Sequence, residues 1–249
     1  MKVDKTILLL SKDETYLVKE LTKDFHTKSG VIKERDLVKA KISDTIKTHL
    51  GKKFVVVKPN ITDILKKGIK RAPQVMLPKD IALIIAYTGV SSGSLVVDAG
   101  CGSGYTAIFL ANYVKPGKVI TYERDPRFIK IAKENIKLSQ LSNFIKLKQK
   151  DITKGIDEKD IDLITLDVQN PEKVVKQAYK ALKPGGWLAV YSPTIEEVIA
   201  VTKKIRELNF SYIKTVENIV REWQTERTTR PKTMGIMHTG FLTFARKVN

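Results

Sequence analysis

Apolar positions along the chain follow two different periods. Thr6 to Leu10, Glu14 to Val18 and Lys52 to Lys58 are short apolar or β-branched runs bounded by charged, Gly or Pro residues, and they predict strands. Asp63 to Lys70 predicts a short helix, and Gly30 and Gly51 mark turns. Residues 1–70 therefore predict a small β-rich domain and not a βαβ unit. From Pro78 onward the pattern changes. Strands are predicted at Ser94 to Asp98, Lys118 to Glu123, Phe144 to Lys148, Ile161 to Asp167 and Trp187 to Tyr191, the last following a Pro184-Gly185-Gly186 turn. Helices are predicted at Pro78 to Gly89, Thr106 to Val114, Pro126 to Leu138, Pro171 to Leu182 and Ile195 to Leu208. Phe128, Ile129, Ala132 and Ile136 show the helical spacing that buries one face.

Strands alternating with helices imply a mostly parallel sheet covered on both faces. The tail breaks the alternation. Phe210 to Trp223 and Gly235 to Lys247 are strand-like with no helix between them, which predicts an antiparallel hairpin at the end of the sheet. The expected architecture is thus a Rossmann-like α/β domain over residues 71–249, preceded by the small domain of residues 1–70.

Composition narrows the partners. The 249 residues are 42% hydrophobic, enough for a packed core, so wholesale disorder is excluded. Lys and Arg number 45 against 27 Asp and Glu, a net charge of +18, and a field of that sign favours polyanions such as nucleic acid. A basic enzyme from a warm habitat would show a similar balance. The single cysteine, Cys101, excludes an intrachain disulfide and a cysteine-based zinc cluster. His26, His49 and His238 are too scattered to suggest a metal triad. No apolar run approaches the roughly 18 residues of a membrane span, and no stretch reads as a secretory signal, so the cytoplasm is the expected location.

The chemistry concentrates at strand ends. Asp98-Ala99-Gly100-Cys101-Gly102-Ser103-Gly104 joins the first strand of the second domain to a helix. Glycines there permit a sharp turn and close approach of a ligand, although a tight strand-to-helix turn alone needs the same residues. The G-x-G-x-x-G dinucleotide fingerprint is absent, because the three glycines are spaced by two. Glu123 ends the second strand, 19 residues after Gly104, where a carboxylate can accept hydrogen bonds from both ribose hydroxyls. Asp151 follows the third strand, suited either to an adenine amino group or to capping a turn. Asp167 closes the fourth in Asp167-Val168-Gln169-Asn170-Pro171. Asn170, directly before Pro171, is the better cap for the next helix and leaves Asp167 for chemistry.

This series resembles the class I S-adenosylmethionine-dependent methyltransferases. The chain as a whole resembles the archaeal and bacterial tRNA adenine-N1 methyltransferases that act at position 58 of the T-loop. The likeness includes His26 to Gly30 (HTKSG), Gly51 to Asp80, Val190 to Val198 (VYSPTIEEV), Arg221 to Gln224 (REWQ) and Arg230 to Lys247, and so runs nearly end to end. The resemblance implies a seven-stranded catalytic domain with an antiparallel C-terminal hairpin, S-adenosyl-L-methionine as cofactor, tRNA as substrate and a homotetramer built as two dimers. It implies cofactor contacts from Gln74, Asp98, Gly100, Cys101, Gly102, Ser103, Gly104, Glu123, Arg124, Asp151, Ile152 and Asp167. Glu123 would hold the ribose, Asp151 the adenine, and Asp167 would be the catalytic acid beside the target adenine. Two departures stand out. Gln169 replaces the first proline of a common D-x-P-x-P, and Leu77 replaces a Tyr or His next to the target base.

Adenine N1 is unprotonated near pH 7 and can attack a sulfonium methyl directly, so the enzyme's expected task is orientation and desolvation. Extracting a stacked base costs a few kcal/mol. Lys66, Lys67, Lys70 and Arg71, and Arg221, Arg227, Arg230 and Lys232, are the candidate phosphate contacts, with solvated surface charge as the alternative for each. His238 is expected to satisfy a backbone carbonyl and not to line the site. Trp187 and Phe241 are expected in the core. Rival readings are a methyltransferase with a small-molecule or protein substrate, a NAD-dependent oxidoreductase, and a non-catalytic RNA-binding subunit. The last should lose the acids that this chain keeps.

Overall fold

The computed structural model describes residues 6–70, 75–226, 228–233, 235 and 238–249. Two compact units divide the chain between Lys70 and Arg71. In the first unit the strands are β1 (Ile7–Leu10), β2 (Thr15–Val18), β3 (Phe25–Thr27), β4 (Gly30–Ile32), β5 (Thr45–Lys47) and β6 (Lys53–Val57). They form an antiparallel sheet in the order β2-β1-β6-β5 and a separate β3-β4 hairpin. Ile7, Leu9, Phe54 and Val56 fill the core beside Leu37 from the short helix α1 (Glu34–Lys39). The helix expected near residue 63 starts earlier, as α2 (Ile61–Asp63), and continues as a π turn over Ile64–Gly68. Asn60 sets its start through a reciprocal capping box with Asp63.

The second unit carries a seven-stranded sheet. Its parallel strands are β7 (Leu95–Ala99), β8 (Lys118–Glu123), β9 (Ile145–Gln149), β10 (Ile161–Leu166) and β11 (Leu182–Ser192). β12 (Phe210–Glu217) precedes a small ladder of β13 (Trp223–Gln224) with β14 (Arg230–Pro231), and β15 (Phe241–Lys247) ends the series. The sheet order is β12-β15-β11-β10-β7-β8-β9, with β15 antiparallel to both of its neighbours. The helices are α3 (Pro78–Thr88), α4 (Tyr105–Val114), α5 (Pro126–Ser139), α6 (Val175–Ala181) and α7 (Ile195–Arg206). Val96, Val97, Leu163, Ile164 and Leu188 are fully buried, as expected of parallel strands covered on both faces.

Three expectations need correction. Pro184, Gly185 and Gly186 do not precede β11 but lie inside it, because the ladder with β10 slips there. Ile161 pairs with Leu182, yet Leu163 already pairs with Trp187, so three extra residues of β11 are absorbed as an irregularity of the ladder. The long tail strands are shorter, since chain between Glu217 and Phe241 leaves the sheet for the β13–β14 ladder. Asn170 does not cap with its side chain. It adopts left-handed backbone (φ 53°) ahead of a 3-10 turn at Pro171–Lys173, and α6 begins only at Val175.

The order of strands positions the site. The chain leaves β7 toward β8 and β9 on one side, then returns to β10 and β11 on the other. The crevice between the C-terminal ends of β7 and β10 is the switch point at which open α/β sheets bind ligands.

Candidate active site

β7 ends in the glycine loop, where Gly100, Gly102 and Gly104 all have positive φ. Gly100 is the position with no alternative. A Cβ there would lie 1.8 Å from the carbonyl oxygen of Asp167. The loop is pressed against the end of β10, and the Asp167 N–H donates to the Ala99 carbonyl at 2.9 Å. This close packing brings the glycines and Asp167 to one edge.

Glu123, buried at the end of β8, is gripped by backbone. Its Oε2 accepts the Gly102 N–H at 2.9 Å, and its Oε1 accepts those of Arg124 and Asp125 at 2.8 and 2.9 Å. An ionised carboxylate offers about four acceptor positions, so Oε2 keeps capacity for a ligand hydroxyl. Asp151 performs the turn role weighed for it. Oδ1 accepts from the Thr153 N–H and hydroxyl at 2.9 and 2.7 Å, capping the 3-10 turn Ile152–Lys154. These threonine bonds hold its carboxyl below the usual range. Oδ2 takes no hydrogen bond from them and lies 3.8 Å from the Arg124 guanidinium. Arg124 also donates to Gln169 Oε1 at 3.1 Å, so it spans the ends of β9 and β10.

A cleft of about 460 Å³ joins these groups. Gly100, Gly102, Glu123, Arg124, Asp151, Ile152 and Asp167 line it. Asp98, Cys101, Ser103 and Gly104 are not on its wall. Asp98 is buried and its two oxygens accept from Thr121 and Thr165 at 2.7 and 2.9 Å, tying β7 to both flanking strands. Burial nevertheless pushes its pKa up. Cys101 is buried too, and burial pushes its thiol far up, which leaves no thiolate for chemistry. The Ser103 hydroxyl is buried without a hydrogen-bond partner among the described residues, while its carbonyl accepts from Asn135 at 2.8 Å. Gln74 lies outside the described residues, as do Arg71 and Arg227.

Asp167 lines the cleft where β10 ends. Desolvation by burial, reinforced by the negative charges of Asp98 and Glu197, pushes its pKa up to about 7. Tyr191 and Glu197, which the sequence reading did not single out, line the same end. Tyr191 donates its hydroxyl to the Thr239 carbonyl, and a Cβ on Gly240 would lie 2.5 Å from the tyrosine ring. His238 is not among the lining residues but braces one of them, its Nε2 3.1 Å from the carbonyl oxygen of Pro193 and its Nδ1 on Glu217. Trp187 is 9% exposed and stacks edge-on with Tyr212, consistent with a core role, and Phe241 is half-buried against the His238 ring.

The sign of charge in the cleft selects among ligands. Five carboxylates (Glu123, Asp125, Asp151, Asp167, Glu197) face two cations (Arg124, Lys150) inside a chain of net charge +18. A pyrophosphate would meet repulsion there, whereas a nucleoside carrying a sulfonium and an ammonium would be attracted. With the orphaned hydrogen-bonding capacity of Glu123 and the apolar walls of Phe128, Ile152 and Val168, the donor set fits S-adenosylmethionine and not a dinucleotide.

Comparison with known proteins gives the same answer. The family described as "tRNA methyltransferase complex GCD14 subunit" matches residues 53–237. The chain belongs to that family. Among curated members of the wider group it is 38% identical to the tRNA (adenine(57)-N(1)/adenine(58)-N(1))-methyltransferase TrmI of Methanocaldococcus jannaschii, over 96% of this chain and 94% of that one. Among solved structures it superposes on a SAM-dependent O-methyltransferase from Thermotoga maritima with a TM-score of 0.89 and 33% identity, covering 100% of this chain and 95% of the other. The tRNA (m1A58) methyltransferase TrmI of Aquifex aeolicus gives a TM-score of 0.82 and 25% identity, with 100% and 99% coverage. Membership of the GCD14 family establishes the Rossmann-like methyltransferase fold and S-adenosylmethionine as cofactor, and among the described residues no cluster suited to a metal ion is found.

Proposed function

We propose that the chain transfers a methyl group from S-adenosylmethionine to N1 of adenine 58, and of adenine 57 where present, in the T-loop of tRNA. The acid-lined cleft at the switch point of a strongly basic chain carries this reading. When bound, the cofactor supplies an electrophilic methyl on a cationic sulfur. Glu123 accepts hydrogen bonds from the ribose, through the oxygen already beside the Gly102 N–H. Asp151, with Oδ1 committed to Thr153, turns Oδ2 to the adenine amino group. Ile152 and Arg124 complete that wall. Asp98, Cys101, Ser103 and Gly104 act from beneath, holding the loop.

Asp167 accepts a hydrogen bond from the N6 amino group of the target adenine. Methylation at N1 leaves positive charge on the base, and a desolvated carboxylate beside it offsets that charge as it forms. The tRNA is held by basic residues outside the cleft, which position without reading bases. No helix among the described residues is long and apolar enough to cross a membrane, and we assign the enzyme to the cytoplasm, where tRNA is. We further propose a homotetramer of two dimers. It is supported by exposed apolar side chains such as Ile199 (61%) and Tyr212 (56%), and sedimentation tests it.

The test is transfer from labelled S-adenosylmethionine to unmodified tRNA transcripts, with variants substituted at 57, at 58 and at both. Label recovered as 1-methyladenosine, lost only when the target adenines are removed, supports the reading and separates one site from two. Label recovered as 2′-O-methylribose points instead to the chemistry named for the Thermotoga maritima protein. No transfer by protein that binds the cofactor overturns it.

A further inference from the structure

Thr194-Ile195-Glu196-Glu197 has the spacing of a capping box at the start of α7. In that motif the third helical residue, a Glu, returns its side chain to the N–H of the capping residue. Only half of it forms. The Thr194 hydroxyl accepts from the Glu197 N–H at 3.4 Å, but the Glu197 carboxylate does not go back to Thr194. It lines the cleft instead, at the same end as Asp167 and Tyr191. Its Oε2 is shielded from solvent and has no hydrogen-bond partner among the described residues. A local rule broken in favour of an unsatisfied buried oxygen costs stability, which is the mark of a group held for a ligand.

The groups around Glu197 do not satisfy it. Glu172, from the 3-10 turn before α6, and Asp167, at the end of β10, are both acids, and Tyr191 has spent its hydroxyl on Thr239. Among the described residues it has no lysine or arginine partner. Burial, and then Glu172, raise its pKa, and Glu197 in turn raises that of Asp167. The partner it lacks is a hydrogen-bond donor, and one on which positive charge develops during the reaction would be offset by the carboxylate. Glu123 and Asp151, which the proposed function gives to the cofactor nucleoside, lie toward the ends of β8 and β9, whereas Glu197 lies at the α7 end of the cleft.

We infer that Glu197 is a second catalytic carboxylate, which contacts the target adenine together with Asp167 and accepts a hydrogen bond from its exocyclic amino group. This rests on the adenine-N1 reading above. Adenine N6 carries two hydrogens, and two facing carboxylates can accept one each. Both then sit beside the cation formed when the N1 lone pair closes on the methyl and the C–S bond pair leaves with sulfur. The same pair disfavours a base with an oxygen at position 6, which would bring a lone pair in place of a donor.

Glu197→Gln and Glu197→Ala in the full chain test this, with unmodified tRNA transcript as substrate and S-adenosylhomocysteine as the binding probe. Expected is a tenfold or greater fall in kcat for both variants, with S-adenosylhomocysteine affinity within twofold of wild type. The acidic limb of the Glu197→Gln pH profile should also move to lower pH, because a neighbouring negative charge is gone. A role confined to setting the charge of Asp167 moves that limb but leaves kcat on the alkaline plateau at the wild-type value, and that result overturns the inference. Wild-type kcat and pH profile in a folded Glu197→Gln overturn the inference. A loss of S-adenosylhomocysteine binding matching the loss of rate overturns it in favour of a cofactor contact. If the wild-type enzyme itself forms no 1-methyladenosine, the functional reading fails, and the assignment of Glu197 with it.

Discussion

Asp167 concentrates the site's chemistry in one side chain whose charge is set by its surroundings. With its pKa pushed up to about 7 by burial and by Asp98 and Glu197, it is partly protonated near neutrality in the free enzyme. A protonated carboxyl cannot offset a developing cation. kcat/KM should therefore rise with pH through about 7 and level off above it, as the profile reports free-enzyme ionisations. Asp167→Asn should cost roughly 10²–10³ in kcat and abolish that limb. The same shift has a consequence for stability. The folded state keeps the proton to higher pH than the unfolded chain, which releases it near 3.8. Stability contributed by this group thus falls as pH rises between those two values and stays low above about 7. Asp167→Asn removes the penalty. In chemical denaturation the variant should be more stable than wild type at pH 8, by on the order of 1–4 kcal/mol, with the difference vanishing below about pH 4. Equal stability at pH 8 would mean that the carboxylate finds solvent or a cation that lowers its cost.

At the scale of elements, the site depends on how tightly β7 and β10 meet. Gly100 has φ 89° and a Cβ position 1.8 Å from the Asp167 carbonyl oxygen. Gly100→Ala must both strain the backbone and push the end of β10 away, at a cost of about 2–4 kcal/mol. The melting temperature should fall, and activity should fall further than cofactor affinity, because Asp167 moves with β10. A second tie runs from α3. Lys79 donates to Asp80 and to the Thr239 hydroxyl, each at 2.8 Å, and Thr239 donates to Asp80 at 3.0 Å. Since the Thr239 carbonyl anchors Tyr191, the start of α3 helps to fix one wall of the cleft. Periodicity exposed the alternating strands and helices, because buried parallel strands read as plain apolar runs. It did not expose the irregularity at Pro184-Gly185-Gly186, where turn residues are carried within a strand by a slipped ladder. The acids Glu123, Asp151 and Asp167 were visible because they end strands. Tyr191 and Glu197 were not, because Tyr191 gains its meaning from Gly240 and Thr239 far along the chain. Glu197 carries a capping signature that the fold uses only in part.

Over the whole molecule the charges are sorted by sign. The cleft is acidic, while the chain as a whole carries +18, so the excess of cations lies outside the cleft. The two ligands should consequently respond to salt in different ways. Binding of tRNA releases counterions, so its log affinity should fall linearly with log salt, with a slope of roughly −4 to −7 for five to eight phosphate contacts. S-adenosylhomocysteine, held by a few short-range hydrogen bonds, should vary little over the same range. Individual cations differ in what they can give. Arg221, just before β13, and Arg230, in β14, are exposed, whereas Lys232 is engaged by Glu222 at 2.6 Å and Lys67 donates to the Thr15 carbonyl at 3.0 Å. Arg221→Ala and Arg230→Ala should each reduce the slope by about 0.7–0.9, and Lys232→Ala by much less. Filter binding of a tRNA transcript from 50 to about 300 mM salt reads all three. A flat dependence for the wild type would separate the net charge from RNA binding and leave it as surface charge without a polyanion to meet.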